Sequence, residues 1–159
     1  MNDTRIGFGY DAHRFGGDGP VVLCGVAIDH HSGVVATSDG DVATHALCDA
    51  VLGAAAAGDI GQLFPSSDPA SEGMDSLEML ATCVKLVFDR GYDLVNVDVT
   101  IVAQDVRVAP HRDAMRERLS PVLRIPPNTI SIKATTTDGM GWIGAGEGLA
   151  AYAVVSIQR

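Results

Sequence analysis

The sequence is poor in aromatic residues, in cysteine and in positive charge. Aromatic residues make up 5% of its 159 residues, and 11 Lys and Arg against 20 Asp and Glu give a formal net charge of −9. The basic surface typical of nucleic-acid-binding proteins is therefore missing, and no nucleic-acid partner is expected. An acidic chain that binds an anion has to do so locally, through metal ions, helix N-termini and backbone amides.

The three cysteines, Cys24, Cys48 and Cys83, form no CxxC motif. An odd number without metal-site spacing predicts reduced cysteines and a cytoplasmic protein. Residues 1–5 lack the apolar core of a signal peptide, and no apolar run reaches the length of a membrane span. We therefore expect a cytoplasmic protein of bacterial type that contacts no membrane. A plastid protein whose transit segment has been removed is the alternative.

Periodic patterns divide the chain into helices and strands. The length fits one domain over residues 1–159, and a hydrophobic fraction of 47% is enough for a core. The patterns predict helices over 41–57, 76–90 and 110–123, a hairpin over 21–28, and strands over 6–13, 95–101, 130–135 and 149–157. This order predicts an α+β fold, a small mixed β-sheet with helices packed on one face.

Boundary residues and two loops complete this outline. Ser38 and Asp39 are the expected caps of the first helix, Gly91 ends the second, and Pro121 bends or ends the third. The connection 58–75 is long for a compact domain and is therefore a candidate functional loop. Glycine-rich segment 139–148 carries no P-loop lysine pattern and suits a turn or the close approach of a ligand or subunit.

A metal site is suggested by Asp11, His13 and His45. Asp11 and His13 lie two residues apart on a predicted strand, so their side chains leave the same face. His45 lies on the first helix, where Asp41 and Asp49, four residues before and after it, are candidates to orient its ring. One carboxylate and two imidazoles suit a catalytic zinc with an open fourth position. The alternative is that Asp11 and His13 lie in an exposed turn and that His45 is an unrelated helical histidine, since these would give the same spacing.

Two further segments suit phosphate. The segment 38–41 precedes a helix whose N-terminal amides can bind phosphate, although capping alone explains its small and acidic residues. In 135–138, threonine hydroxyls and backbone amides can hold phosphate oxygens, and Asp138 can bind a hard cation such as Mg²⁺. Threonines that simply favour a strand end are the alternative.

Taken together, these residues resemble the 2-C-methyl-D-erythritol 2,4-cyclodiphosphate synthase family. The resemblance covers nearly the whole chain. It rests on the order and spacing of seven segments: 9–13, 38–47, 58–61, 63–65, 96–100, 133–137 and 146–148.

The resemblance implies a homotrimer whose sheets surround the central axis, with active sites between subunits. It implies one Zn²⁺ per chain on Asp11, His13 and His45, and a Mg²⁺ or Mn²⁺ on Asp138 with the diphosphate. It implies catalytic roles for Thr37 and Thr136. The methylerythritol phosphate would contact Asp11, Ala12, His13, Thr37, Ser38, Asp59, Ile60, Gly61, Phe64, Pro65, Ser66, Ser67, Asp68, Trp142 and Ala145. The cytidine diphosphate portion would contact Ala103, Gln104, Asp105, Val106, Arg107, Val108, Ala109, Ala134, Thr135, Thr136 and Thr137.

Several positions depart from the family pattern. Thr37 replaces a usual histidine, Asp138 replaces a glutamate, and Ala145 replaces an arginine that faces the trimer axis in many members. Further departures are Ser66, Ser71, Glu72 and Arg107.

The implied reaction is the metal-assisted closure of a cyclic diphosphate on 4-diphosphocytidyl-2-C-methyl-D-erythritol 2-phosphate, with release of CMP, in non-mevalonate isoprenoid precursor synthesis. A zinc hydrolase using water at the same position is one rival. A non-catalytic, metal-bound trimer that senses nucleotide or isoprenoid diphosphate is the other.

Overall fold

A computed structural model of the chain describes residues 3–159. The prediction that no signal peptide is present rests on residues 1–5, of which 1 and 2 lie outside the described residues. The strands are β1 (Thr4–Asp18), β2 (Val21–Leu23), β3 (Val26–Ile28), β4 (Ser32–Val34), β5 (Asp93–Val102), β6 (Ile130–Thr135) and β7 (Gly148–Gln158). The α-helices are α1 (Val42–Ala54), α2 (Ile60–Leu63), α3 (Ser76–Asp89), α4 (Arg112–Leu123) and α5 (Gly141–Gly144).

Five strands form the main sheet in the order β4-β1-β7-β5-β6, and β2 and β3 pair separately as a hairpin. The β5–β6 pair is parallel, whereas β1–β4, β1–β7 and β5–β7 are antiparallel. The predicted mixed sheet of an α+β fold is thereby confirmed. In the described chain, no helix is both long and apolar enough to cross a bilayer.

The two sheet faces differ in what covers them. On the inner face the apolar side chains of β5 and β7, such as Val97, Val99 and Val155, are fully buried beneath the helices. On the outer face, large apolar side chains of β1 and β7 are exposed. These residues, called the outer apolar face below, are Ile6, Phe8, Tyr10, Tyr152 and Val154.

Helix α1 lies directly on β1 because two glycines of that strand have no side chain. A Cβ atom at Gly7 would come within 1.8 Å of the Ala50 carbonyl oxygen, and one at Gly9 within 1.9 Å of that of Ala46. The face that carries Gly7 and Gly9 continues with Asp11 and His13, because side chains alternate along a strand. His45, the neighbour of Ala46, therefore lies above these two residues.

The structure corrects several predicted boundaries. Helix α1 ends at Ala54 instead of residue 57, and α4 runs through Pro121 to Leu123, where Arg124 ends it in the left-handed region with φ 58°. The loop 58–75 contains α2 and a 3₁₀ turn over Pro69–Ser71, and the segment 139–148 contains α5. These turns are too short to show a helical period in the sequence. Strand β4 was not predicted at all.

The prediction that Ser38 and Asp39 cap α1 is wrong. The N-cap is Asp41, whose Oδ1 accepts a hydrogen bond from the Thr44 N–H at 2.9 Å. By contrast, Gly91 ends α3 as predicted, since its φ is +80° and its N–H donates to the Phe88 carbonyl at 2.8 Å.

Candidate active site

Asp11 and His13 from β1 meet His45 from α1 at one side of the inner face. The Asp11 Oδ2 atom lies 3.0 Å from His13 Nδ1 and 3.1 Å from His45 Nδ1. All three side chains are half-buried, and together they form a group able to hold a metal ion. The same-face placement of Asp11 and His13, predicted from their spacing, is confirmed.

The charges in this cluster stabilise one another. Burial by itself raises the pKa of Asp11, but the adjacent imidazoles of His13 and His45 outweigh it and lower the pKa to about 2. Burial likewise opposes protonation of His45, but the Asp11 carboxylate, together with the charges of Asp41 and Asp39, more than offsets this and raises the pKa of the imidazole. Asp11 is therefore an anion over the physiological pH range, as a metal ligand has to be.

The cluster fits zinc. Tetrahedral Zn²⁺ with bonds of about 2.0–2.2 Å keeps neighbouring ligand atoms about 3.4 Å apart. The observed 3.0 and 3.1 Å are close to this value. In addition, the buried His13 Nδ1 makes no well-aligned hydrogen bond within the described chain, so its lone pair is available to a metal.

The residues that orient His45 were not predicted. Its Nε2 atom lies 2.9 Å from the Ser76 hydroxyl and 3.2 Å from that of Ser38. When Nε2–H donates to these oxygens, the lone pair of Nδ1 faces Asp11 and His13. Ser76 also donates its hydroxyl proton to Asp39, and its N–H donates to Asp39 Oδ2 at 3.0 Å. A serine after an aspartate at a helix start resembles an ordinary cap, so nothing in the sequence distinguishes Ser76 as a contact of His45.

The prediction that Asp41 or Asp49 orients His45 is wrong, because neither carboxylate hydrogen-bonds the ring, whose nitrogens contact Asp11, Ser76 and Ser38. Asp41 accepts from the N–H groups of Cys24, Gly25 and Thr44 and from the Thr44 hydroxyl, at 2.8–2.9 Å. It thus joins the β2–β3 hairpin to the start of α1. Asp49 accepts from the Ile60 N–H at 2.8 Å and so fixes the start of α2.

The metal cluster opens into a cavity of about 240 Å³. The side chains predicted for the methylerythritol portion that line it are Asp11, His13, Thr37, Ser38, Ile60, Phe64 and Ser66. The lining also includes Ala36, Asp49, Ser71 and Met79, which were not predicted as ligand contacts. Met79 follows the helical period of α3 and resembles a core residue in the sequence.

Other residues predicted to contact substrate lie beside this cavity or away from it. Asp59 accepts from the Gln62 N–H at 3.0 Å and caps α2, while Asp68 caps the 3₁₀ turn. Ala12 and Trp142 line a separate hollow on the other side of His13. The remaining residues predicted to contact the methylerythritol portion are exposed: Gly61, Pro65, Ser67 and Ala145.

The segments predicted to bind the nucleotide form a second cavity, of about 400 Å³. It is lined by the predicted residues Ala103, Gln104, Val106, Arg107, Val108, Ala109, Ala134, Thr135 and Thr136. Asp105 instead faces a hollow that His30 and His31 line, and the Thr137 hydroxyl donates to the Met140 carbonyl at 2.7 Å. The two cavities have no lining residue in common, so one chain does not join them.

Asp138 lies at the edge of the second cavity. It is exposed, has φ 52°, and its N–H donates to the Thr136 hydroxyl at 3.2 Å. Among the described residues it belongs to neither of the three-residue groups that could hold a metal. The carboxylates, imidazoles and thiolates of the described residues therefore do not form a three-ligand site around Asp138, and a cation there would need other oxygen ligands as well.

Comparison with known proteins places this arrangement in a family. The YgbB family matches residues 4–158. The chain belongs to this family. A 2-C-methyl-D-erythritol 2,4-cyclodiphosphate synthase of Methylococcus capsulatus is 54% identical over 155 residues, covering 98% of this chain and 98% of the relative. One of Pseudoalteromonas atlantica is 50% identical over 157 residues, covering 99% and 97%. The family resemblance seen in the sequence is confirmed.

Solved structures agree with this membership. A 2C-methyl-D-erythritol-2,4-cyclodiphosphate synthase in its CDP-bound form is 39% identical with a TM-score of 0.86, over 95% of this chain and 98% of that one. The bifunctional IspDF of Campylobacter jejuni is 37% identical with a TM-score of 0.96. All of this chain is covered in that comparison, but it spans only 43% of the bifunctional protein.

Proposed function

We propose that this chain converts 4-diphosphocytidyl-2-C-methyl-D-erythritol 2-phosphate to 2-C-methyl-D-erythritol 2,4-cyclodiphosphate and CMP, in non-mevalonate isoprenoid precursor synthesis. The observation that carries the proposal is the cluster of Asp11, His13 and His45, which opens into a cavity in a chain about half identical to synthases of that name. The enzyme would be a phosphorus–oxygen lyase that acts as a cyclase.

The reaction is an intramolecular phosphoryl transfer. An oxygen of the substrate's 2-phosphate forms a bond to the β-phosphorus of its own diphosphate. The bond from that phosphorus to the bridging oxygen breaks, and CMP leaves with the electron pair. The attacking oxygen is already anionic, so no general base is needed, and catalysis depends on positioning and charge neutralisation.

Asp11, His13 and His45 would hold Zn²⁺, which supplies a Lewis acid for the β-phosphate when bound. Ser76 and Ser38 keep the His45 ring turned so that Nδ1 faces this position. Thr37 and Ser38 line the same cavity, and the main-chain N–H of neither residue donates to an acceptor in the described chain, so both are available to a phosphate oxygen. Thr136 would bind the diphosphate, and Asp138 would hold Mg²⁺ or Mn²⁺.

A homotrimer would complete the site. In one chain the cavity with the metal cluster and the cavity with the nucleotide segments are separate, so substrate that contacts both has to lie between subunits. The outer apolar face supports assembly, since exposed apolar patches of this kind mark protein interfaces. We further propose that residues 1–159 act as one domain in the cytoplasm.

The test is CMP release from the proposed substrate, with product analysis, in the presence of zinc and magnesium. We expect cyclic product and CMP, and loss of both on addition of a chelator. His45→Ala should lose zinc and turnover together while far-ultraviolet circular dichroism is unchanged. A linear product would identify the hydrolase instead. Tight CDP binding without turnover would identify a non-catalytic sensor, and either result would overturn the proposal.

A further inference from the structure

A second group of possible metal ligands lies outside the candidate active site. His30 and His31, between β3 and β4, approach Asp105, which follows β5. One ligand atom from each residue lies within 4.8 Å of the others, and the two imidazole ring centres are 4.3 Å apart. The hollow that contains these residues has no lining residue in common with the cavity of Asp11, His13 and His45.

The protonation of His30 follows from its contact with Ser32. Its Nδ1 atom lies 2.7 Å from the Ser32 carbonyl oxygen, which can only accept a hydrogen bond, so Nδ1 carries a proton. The Ser32 N–H also points at Nδ1, at 3.2 Å, a contact that suits the other tautomer, but the contact with the carbonyl oxygen is 0.5 Å shorter and decides the assignment. In the neutral imidazole the lone pair is consequently on Nε2, the tautomer in which histidine binds a metal through that atom.

The Nε2 atom of His30 has no hydrogen-bond partner in the described chain, although the side chain is only 5% exposed. It lies 3.4 Å from Asp105 Oδ1. His30 Nε2 is buried, although Asp105 is exposed to solvent on its other side, and a lone pair and a carboxylate oxygen that face each other this closely repel unless a cation lies between them. The His30 ring is fixed in this direction, because it stacks on Phe15 with ring centres 4.8 Å apart.

The spacing and chemistry of the group suit a transition metal. Zinc bonds of about 2.0–2.2 Å in tetrahedral geometry separate neighbouring ligand atoms by about 3.4 Å, the distance between His30 and Asp105. Two imidazoles and one carboxylate are typical zinc ligands. The same hollow is lined by Asp29, which adds negative charge, by Arg107, which opposes it, and by His111.

We propose that His30, His31 and Asp105 form a second site for a divalent transition metal ion of the zinc class. The site connects the β3–β4 turn to the segment that follows β5. It does not depend on the proposed function, because none of its residues is proposed to hold the active-site zinc or the phosphates. Asp105, which the family resemblance assigned to the cytidine diphosphate portion, faces this hollow instead.

The experiment counts ions per chain after equilibrium dialysis of the intact protein against excess Zn²⁺, followed by metal analysis. We expect two ions in the wild type and one in each of His31→Ala and Asp105→Asn. Both side chains are exposed, so these substitutions should leave the fold intact, which circular dichroism checks. Asp113→Asn, an exposed carboxylate on α4, is the matched control and should keep two ions.

His45→Ala separates the two sites. It should also retain one ion, and the double variant His31→Ala/His45→Ala should retain none. The proposal is overturned if the wild type saturates at one ion and His31→Ala retains that ion, as expected if a proton occupied the gap between His30 and Asp105. It is equally overturned if His31→Ala and Asp105→Asn both keep two ions.

Discussion

The Ser76 hydroxyl lies 2.9 Å from Nε2 of His45, and this contact joins the first residue of α3 to a metal ligand on α1. Ser76 is fully buried and is itself held by Asp39. The position of a ligand on one helix thus depends on the end of another helix 31 residues away in sequence.

Removal of this hydroxyl should weaken metal binding without removing a ligand. For Ser76→Ala we expect zinc affinity to fall about 10–100-fold, the usual effect of losing a group that orients a ligating histidine. Competition with a chromophoric chelator measures it. Ser38→Ala, which removes the longer 3.2 Å contact, is the matched comparison and should have the smaller effect. Equal zinc affinity in Ser76→Ala and wild type would contradict the orienting role.

Zinc affinity should depend on pH through His45. The Asp11 carboxylate raises the pKa of His45, so the imidazole is protonated at a higher pH than an ordinary histidine. A proton on Nδ1 has to leave before zinc binds there, and affinity should therefore fall by about tenfold per pH unit below that pKa for this ligand alone. Chelator competition from neutral to mildly acidic pH measures the slope. A flat profile across that range would exclude His45 as a ligand.

The close approach of α1 to β1 should make Gly9 intolerant of a side chain. A Cβ at Gly9 would meet the Ala46 carbonyl oxygen at 1.9 Å. We expect Gly9→Ala to lower the free energy of unfolding by about 1–3 kcal/mol or more, since backbone has to move. Urea denaturation measures it.

Gly53→Ala is the control on the other side of this contact. Its Cβ would lie 3.9 Å from the Phe8 carbonyl oxygen, which is ordinary contact. The free energy of unfolding should therefore rise by about 0.5–1 kcal/mol, because alanine is more stable than glycine within a helix. Similar losses in both variants would show that helix–strand proximity is not the cause.

Thr37 should contribute chiefly through its main chain. Its carbonyl accepts from the Gly73 N–H at 2.8 Å, which fixes the peptide group that carries the Ser38 N–H, and the N–H groups of Thr37 and Ser38 donate to no acceptor in the described chain. We therefore expect Thr37→His to raise kcat by less than about tenfold, or about 1.4 kcal/mol of barrier. Thr136→Ala should lower kcat about 10²–10³-fold, because it removes a preorganised donor. Steady-state kinetics decides, and a hundredfold gain in Thr37→His would favour a side-chain role.

The outer apolar face should hold the proposed trimer together. Phe8 is 61% exposed, and its ring lies 6.1 Å from that of Tyr152 on the neighbouring strand. Phe8→Glu would bury a charge at such an interface, so sedimentation velocity should show monomers. Met140, which is 69% exposed and precedes α5 outside the sheet, is the matched control, and Met140→Glu should stay trimeric. Trimers of unchanged stability in Phe8→Glu would show that this face is not the interface.

The sequence by itself determined the elements whose patterns are local. Apolar residues alternate in β5 and β7, α3 has a helical period, and Gly91 ends α3. Each of these patterns involves residues only a few positions apart, so each was predictable from the sequence. The same-face pairing of Asp11 with His13 follows from the strand period. His45 was predicted as the third ligand from its place on the first helix, and the family resemblance implies the same three residues.

Only the tertiary structure decided what surrounds those ligands. Asp41 resembles a partner of His45 by helical spacing, yet the hairpin amides and Thr44 occupy its oxygens. Ser76 resembles a simple helix start, yet it contacts Nε2 of His45. A buried polar side chain bonds to whichever group the packing of the helices and strands brings next to it. The separation of two residues in the sequence does not reveal whether they are close in the folded protein.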